Sequence, residues 1–194
     1  MEINNICIYC ASSSKVAQEY NDAAYELGAL LAKEGITIVT GAGSLGLMRQ
    51  VEDGALGAGG KAIGVIPRFM VDQGWHHTGL TELRITESMH ERKQMMADLS
   101  DAIIALPGGC GTIEELSEII TWKQLGLYFN PIVILNTNGY YDHFIAQLEK
   151  AVDEHFMGEI HKRIWSVATT PAEALEQIRN TPRWDAAVRK YAAL

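Results

Sequence analysis

The segment of the chain best suited to chemistry runs from Pro107 to Glu115 and reads Pro-Gly-Gly-Cys-Gly-Thr-Ile-Glu-Glu. Its three glycines lie between a short apolar run and the start of a helical pattern. Such a loop exposes several backbone N–H groups at the positive end of a helix, which is a ready site for an anion. No lysine follows the glycines, so the segment is not a Walker A loop. We therefore predict that an anionic group binds here, at residues Gly108, Gly109, Cys110, Gly111 and Thr112.

Glu115 has two interpretations. The spacing Thr112-x-x-Glu115 matches a capping box, in which the glutamate would reach back to the Thr112 N–H. The alternative is a carboxylate that takes part in the site. In both cases the helix end predicts a low pKa for Glu115 and hence an anion at neutral pH, suited to stabilising a developing cation.

A basic pair precedes the glycine segment. In a helix predicted over residues 89–99, Arg92 falls within the inward apolar stripe and Lys93 lies at its margin. A buried arginine needs a partner for its charge. That partner is either Glu114 or Glu115 in an internal salt bridge, or an anionic ligand at the same edge of the sheet; the nearby glycine segment favours the ligand.

Further candidates lie on the next helix and on two other loops. Glu114 and Thr121 face away from the core stripe of a helix predicted over 112–125, where they are either solvated or turned towards a ligand or partner subunit. Ser12, in the loop after the first strand, offers donors to a phosphate or belongs to an ordinary turn. Gly43 lies in a G-x-G-x-x-G loop that could approach a mononucleotide. The next strand ends without the acidic residue that NAD binding requires, so we do not predict NAD.

These loops must be positioned by the alternating strands and helices of the chain. Seven short runs of β-forming residues predict strands at 6–9, 36–39, 62–66, 83–86, 102–106, 132–135 and 165–167. Between them, apolar periodicity predicts helices at 20–34, 45–56, 89–99, 112–125, 142–154 and 171–179. This alternation indicates an α/β fold, a Rossmann-like doubly wound parallel sheet with helices on both faces. In such sheets ligands bind beyond the carboxyl ends of the strands, where all the loops above lie.

Composition limits the function classes. The 194 residues predict a single domain with a tail over 182–194, and the formal charge of −8 without a Lys/Arg run argues against nucleic-acid binding. No apolar stretch has transmembrane length and the N-terminus lacks a signal-peptide pattern, so we predict a cytoplasmic protein without membrane contact. Three cysteines suit a reduced compartment, with Cys7 and Cys10 read as core residues. No metal-ligand spacing is present, and we predict no metal and no cofactor.

Taken together, Gly41 to Met48, Met89 to Lys93 and Pro107 to Glu115 resemble the LOG ("Lonely Guy") family of cytokinin riboside 5′-monophosphate phosphoribohydrolases. The resemblance implies a homodimer that cleaves the N-glycosidic bond of AMP or N6-substituted AMP, giving the free base and ribose 5-phosphate. It also assigns the functional residues. Arg92 and Glu115 would be catalytic, and the ligand contacts would be Lys93, Gly108 to Thr112, Glu114 and Thr121.

The chain departs from the usual family pattern at three positions: Ala42 and Arg49 replace glycines, and Gly74 replaces a substrate-contacting glutamate. The older family description, lysine decarboxylase, has no support in the sequence, because no lysine stands out as a Schiff-base residue. The main alternative function is a non-catalytic nucleotide or cofactor binder, such as the molybdenum-cofactor carriers with a similar glycine loop. The pair formed by Arg92 and Glu115 favours the enzyme, and an NAD-dependent oxidoreductase ranks last.

Overall fold

Seven strands form one parallel sheet in the computed structural model, which describes residues 2–185. The strand order across the sheet is β4-β3-β2-β1-β5-β6-β7. The strands are β1 Asn5–Tyr9, β2 Thr37–Thr40, β3 Ala62–Pro67, β4 Glu82–Thr86, β5 Ala102–Ala105, β6 Ile132–Leu135 and β7 Ser166–Ala168. All seven predicted strands are confirmed, because runs of apolar β-formers are what a sheet covered on both faces requires.

Within the described residues, six α-helices connect the strands and a seventh follows β7. They are α1 Gln18–Lys33, α2 Gly46–Gly57, α3 Arg68–Asp72, α4 Met89–Asp98, α5 Cys110–Gln124, α6 Asp142–Asp153 and α7 Pro171–Asn180. Two 3-10 turns, Thr137–Gly139 and Glu159–Arg163, complete the connections. The six predicted helices are confirmed. The sequence did not predict α3, because five residues are too few to show a helical period.

Side chains of β1 alternate between two apolar cores. Ile6 and Ile8 belong to the core covered by α1, α2 and α7, whereas Cys7 and Tyr9 belong to the core covered by α4, α5 and α6. The predicted doubly wound arrangement is therefore confirmed, and all the loops that follow the strands meet at one edge of the sheet.

The loops after β1 and β2 pack backbone against backbone at that edge. Gly46 begins α2 with a φ of 65°, and a Cβ placed on it would lie 2.5 Å from the Ser12 carbonyl carbon and from the Ser13 oxygen. The Met48 N–H donates to the Ala11 carbonyl at 3.1 Å. A side chain at position 46 would therefore push these two loops apart, which explains the glycine at that position.

Three further predictions concern the cysteines, the C-terminal tail and membrane-spanning helices. Cys7 and Cys10 are buried free thiols, as predicted, while Cys110 is exposed. Residues 182–185 follow α7, where the Trp184 N–H donates to the Phe129 carbonyl at 2.8 Å; the rest of the predicted tail, 186–194, lies outside the described residues. Across residues 2–185, no helix has both the length and the apolar character needed to cross a membrane.

Candidate active site

The Arg92 side chain is held by two hydrogen-bond partners at the carboxyl edge of the sheet. Helix α4, which carries it, begins after Ser88, whose hydroxyl accepts from the Glu91 N–H at 3.1 Å. The Arg92 side chain is only 7% exposed. Its Nε donates to the Val65 carbonyl of β3 at 3.0 Å, and its Nη1 donates to Glu115 Oε1 at 2.9 Å. The internal salt bridge, one of the two predicted arrangements, is thus confirmed for Glu115.

Glu115 faces Arg92 and does not form a capping box. Helix α5 begins at Cys110 with Gly109 as its N-cap, so Thr112 already lies inside the first turn. The predicted low pKa is also wrong. Burial raises the pKa of Glu115 above its ordinary value, and the opposing effect of Arg92 does not outweigh it. The sequence pattern cannot report desolvation, which here dominates the influence of the helix end.

Arg92 lines a cavity of about 340 Å³. The loops after β1 and β2 form one side of it, and β3, α3 and the loop after α3 form the other. The lining residues are Ser12, Gly41, Gly43, Ser44, Leu45, Met48, Ile66, Met70, Trp75 and Arg92. The predicted Ser12 and Gly43 therefore share one cavity with Arg92. The apolar side chains of this lining were not predictable from the sequence, because their meeting depends on long-range packing.

The glycine segment presents an open helix end. Helix α5 has no side-chain cap and no acidic residue in its first turn, which leaves its first N–H groups available. A Cβ added to Gly109 or Gly111 would have no neighbour within 4 Å, and neither residue has a left-handed φ. Neither internal packing nor backbone conformation requires these glycines, so the free space in front of them can receive an anion.

Gly108 and Gly109 also line a cleft of about 120 Å³ beside Tyr140. The Tyr140 hydroxyl donates to the Gly108 carbonyl at 2.7 Å and so holds the loop from the other side. A Cβ on Gly108 would overlap the buried Thr112 side chain, which therefore folds back over the loop. These contacts fix the glycine segment at Gly108, whereas the space in front of Gly109 and Gly111 is unoccupied.

Of the predicted site residues, only Ser12, Gly43 and Arg92 line this cavity; Glu115, the segment Gly108 to Thr112, Lys93, Glu114 and Thr121 do not. Lys93 is buried, and its Nζ donates to Glu114 and lies 3.1 Å from Glu118 Oε2. Thr121 is exposed, and its hydroxyl donates to the Ser117 carbonyl at 2.8 Å. The sequence predicted Lys93 at the margin of the apolar stripe of α4. Its burial is explained by the carboxylates of Glu114 and Glu118 on α5, which balance its charge. Roles of Lys93, Glu114 and Thr121 in binding stay predictions.

A buried carboxyl–imidazole pair, which the sequence did not predict, joins α2 to the segment after α3. Glu52 on α2 contacts His77, which follows α3, with 2.9 Å between Oε2 and Nδ1. Burial raises the pKa of Glu52 to about 8 and lowers the pKa of His77. The only available signal was a glutamate within the apolar stripe of α2, since a pairing across 25 positions leaves no local pattern.

Neither a metal site nor a Schiff-base lysine is evident in the described part of the chain. Within residues 2–185, no three His, Cys, Asp or Glu side chains are grouped to hold a metal ion. Lys123 is buried, and desolvation lowers its pKa to about 8. Its Nζ donates to the Asn130 carbonyl at 2.9 Å, however, and Lys123 lines neither cavity described above.

Comparison with known proteins identifies the relatives of this chain. A family model described as "Possible lysine decarboxylase" matches residues 48–178. The cytokinin riboside 5′-monophosphate phosphoribohydrolase LOG of Oryza sativa subsp. japonica is 45% identical over 168 residues, which cover 87% of this chain and 69% of the relative. LOG1 of Arabidopsis thaliana, with the same enzyme name, is 38% identical over 190 residues, covering 97% and 89%.

Among solved structures, the molybdenum cofactor carrier protein of Chlamydomonas reinhardtii superposes with a TM-score of 0.70. The match covers 93% of this chain and 98% of the carrier at 24% identity. At that identity the likeness concerns the fold alone, a parallel α/β sheet of the same Rossmann-like type.

Proposed function

Because the chain belongs to the LOG family, we propose that it is a hydrolase that cleaves the N-glycosidic bond of AMP or N6-substituted AMP. The products are the free base and ribose 5-phosphate. The observation that carries this proposal is the buried pair of Arg92 and Glu115, 2.9 Å apart beside a partly apolar cavity. A nucleotide needs a place for an apolar base, a place for a phosphate and charged groups at the bond between base and sugar.

We assign the parts of the substrate accordingly. The base occupies the cavity lined by Ile66, Met70 and Trp75, whose side chains suit a planar, weakly polar group. The 5′-phosphate binds the N–H groups at the start of α5, from Gly108 to Thr112. The ribose then lies between them, beside Arg92 and Glu115.

In the proposed reaction a water oxygen adds to C1′ while the C1′–N9 bond breaks and its electron pair leaves with the base. The base takes up a proton from solvent water and is released in its neutral form. Positive charge develops on the ribose, and the Glu115 carboxylate stabilises it, as carboxylates do in glycoside hydrolysis. A carboxylate whose pKa is raised is also the better base, so Glu115 takes the proton of the attacking water. Arg92 orients the carboxylate and binds the substrate.

A non-catalytic carrier remains the competing function, since molybdenum-cofactor carriers share the fold. A protein that only carries a cofactor does not need a buried carboxylate of raised pKa beside an arginine at the edge of its ligand cavity. The higher identity to relatives named phosphoribohydrolases also supports the enzyme. Assembly as a homodimer and a cytoplasmic location belong to the same proposal.

Chromatography of free adenine after incubation with AMP tests the function directly. We expect adenine and ribose 5-phosphate in equal amounts from the wild type. Glu115→Gln should release no detectable adenine while still binding AMP, because the amide keeps the shape and loses the charge. Glu176→Gln, on the exposed face of α7, serves as the matched control and should behave as wild type. Binding of AMP without any release of adenine by the wild type would favour the carrier.

A further inference from the structure

Glu52 is a fully buried carboxyl group that joins two walls of the cavity. Its relative exposure is 0%, and that of His77 is 5%. The Thr40 hydroxyl, at the end of β2, donates to Glu52 Oε1 at 2.5 Å, and His77 Nδ1 lies 2.9 Å from Oε2. The carboxyl group therefore links the loop after β2 with the segment 75–77 that follows α3.

The same two segments are joined by their backbones. The Ser44 N–H donates to the Trp75 carbonyl and the His77 N–H donates to the Ala42 carbonyl, both at 2.9 Å. Between these bonds, Gly43 and His76 form an isolated antiparallel bridge. Ala42 itself has a φ of 61°, and its N–H donates to the Thr40 hydroxyl at 3.1 Å. Glu52 thus supports the short antiparallel pairing of residues 42–44 with residues 75–77, and Trp75 lies at one end of that pairing.

Trp75 is the aromatic residue of the cavity lining, and 53% of it is exposed. The large exposed indole, with its flat aromatic face, shares the cavity lining with apolar Ile66 and Met70. Nucleobases stack on such faces, whichever base they are, because every base has a π-face. Its backbone is fixed on both sides, since the Trp75 N–H also donates to the Met70 carbonyl at 3.1 Å.

We propose that Glu52 and His77 are positioning residues that hold Trp75 as the base-stacking wall of the cavity. This inference rests on the proposed function, because it takes a nucleobase as the occupant. Neither residue touches the reacting atoms. They act by keeping the indole at the distance at which a base can stack, so their loss should weaken binding of the base and leave binding of the sugar phosphate unchanged.

The protonation of the pair supports a neutral, hydrogen-bonded link. Burial raises the pKa of Glu52 to about 8, so at neutral pH its carboxyl group can hold a proton and donate it to His77 Nδ1. The charged groups nearby are Asp53, whose Oδ1 lies 3.6 Å from His77 Nε2, and Arg49, which is paired with Asp53 at 2.5 Å. Because the link needs no net charge, glutamine at position 52 can replace the carboxyl group.

Isothermal titration with AMP and with ribose 5-phosphate tests the proposal. All variants are built on Glu115→Gln, so that AMP is not consumed. We expect Trp75→Ala to weaken AMP binding about 10-fold, the effect of removing a stacked ring, and to leave ribose 5-phosphate unchanged. His77→Ala and Glu52→Ala should each give the same selective loss, and Trp75→Ala/His77→Ala no more than Trp75→Ala alone.

Two further variants separate positioning from general destabilisation. Glu52→Gln should bind AMP as its parent does, because an amide can accept from Thr40 and donate to His77. Val51→Ala, a buried truncation one residue away on α2, should lower the stability of the fold without changing the ratio of the two affinities. If His77→Ala does not fold, the loss in Glu52→Ala and its rescue in Glu52→Gln still decide the matter.

Three results would overturn the inference. They are additive losses in the double variant, equal losses for AMP and ribose 5-phosphate, and a parent that binds AMP no more tightly than ribose 5-phosphate. None of them depends on turnover. A wild type that binds AMP with the expected contrast yet releases no adenine would refute the proposed hydrolysis and leave the role of Trp75 intact. A parent that binds neither ligand would overturn the role of Trp75, whereas adenine release by the wild type still decides whether hydrolysis occurs.

Discussion

Gly41 and Arg92 occupy adjoining space, and a Cβ on the glycine would overlap the Nη2 atom of the arginine. Gly41 follows β2, whereas Arg92 comes from α4 and bonds the carbonyl of Val65 in β3. Because Gly41 has no side chain, the Arg92 guanidinium has room to reach Glu115.

Gly41→Ala should therefore impair activity through Arg92. Gly41 does not have a left-handed φ, so alanine fits the backbone, and the clash falls on the end of a flexible side chain. We expect the free energy of unfolding to fall by about 1–3 kcal/mol, because the methyl group displaces a buried, hydrogen-bonded guanidinium. In addition, kcat should fall at least about 100-fold, because displacement of a catalytic group by about 1 Å has that effect.

A double variant shows whether the loss passes through the arginine. Gly41→Ala added to Arg92→Ala should lower kcat no further than Arg92→Ala alone. Multiplicative losses in kcat would contradict the relationship between Gly41 and Arg92. Thermal unfolding of each variant measures the stability.

Gly111→Ala should separate stability from phosphate binding. Gly111 lies in the first turn of α5 with open space in front of it, so alanine should stabilise the helix by about 0.5–1 kcal/mol. The same methyl group would stand where a phosphate approaches the N–H groups. Affinity for ribose 5-phosphate, measured by titration calorimetry, should therefore fall while the midpoint of thermal unfolding rises. Unchanged affinity would remove the 5′-phosphate from this helix end.

The pH profile should report the burial of Glu115. Its pKa is raised above the ordinary value of 4.5 by burial, and the carboxylate is the form that accepts the proton of water. As the pH falls through that raised pKa, kcat should decline, with a midpoint above 4.5. Arg92 lowers this pKa, so the residual activity of Arg92→Gln should have its midpoint at higher pH. Binding of ribose 5-phosphate over the same range corrects for ionisation of the phosphate. A midpoint at or below 4.5 would exclude Glu115 as the base.

Stability should depend on pH through Glu52. Burial raises its pKa from 4.5 to about 8, so between these values the folded chain binds more protons than the unfolded chain. The stabilisation is complete below 4.5 and is lost as the pH rises through about 8. Between pH 6.5 and 8 His77 is already neutral, since burial lowers its pKa from 6.5. There the difference in unfolding free energy between wild type and Glu52→Gln should fall by up to about 1.4 kcal/mol per pH unit. Denaturant unfolding at several pH values measures it, and a flat difference would contradict the burial of Glu52.

Elements with a strong local pattern were predictable from the sequence. Apolar runs such as 102–106 identified the strands, and the periodic stripe of α4 identified Arg92 as an inward-facing cation. The glycine-rich composition of Gly108 to Thr112 predicts an anion site before a helix, and that role stays a prediction. Order along the chain then places these groups at one edge of the sheet.

Features that depend on contacts across the chain were not predictable. The sequence suggested a capping role for Glu115 because its spacing from Thr112 is a local pattern. Its burial and its hydrogen bond to Arg92, 23 positions away, arise only in the tertiary structure. Trp75 and His77 carried no periodic signal at all, and Glu52 looked like one polar residue in an amphipathic helix. The apolar part of the candidate site was missed for this reason.

Because β1 lies between β2 and β5, its position determines the order in which the sheet can form. This first strand pairs with β2, in the register Asn5 to Thr37, and with β5, in the register Ile6 to Ala102. During synthesis from the N-terminus, the first pairing becomes possible early, whereas the second must wait until more than half of the chain has emerged. The apolar groove for the base can thus begin to assemble on the ribosome well before the acidic partner of Arg92 has been translated. At that stage Arg92 is still without its counter-charge, because Glu115 follows 23 positions later in the chain.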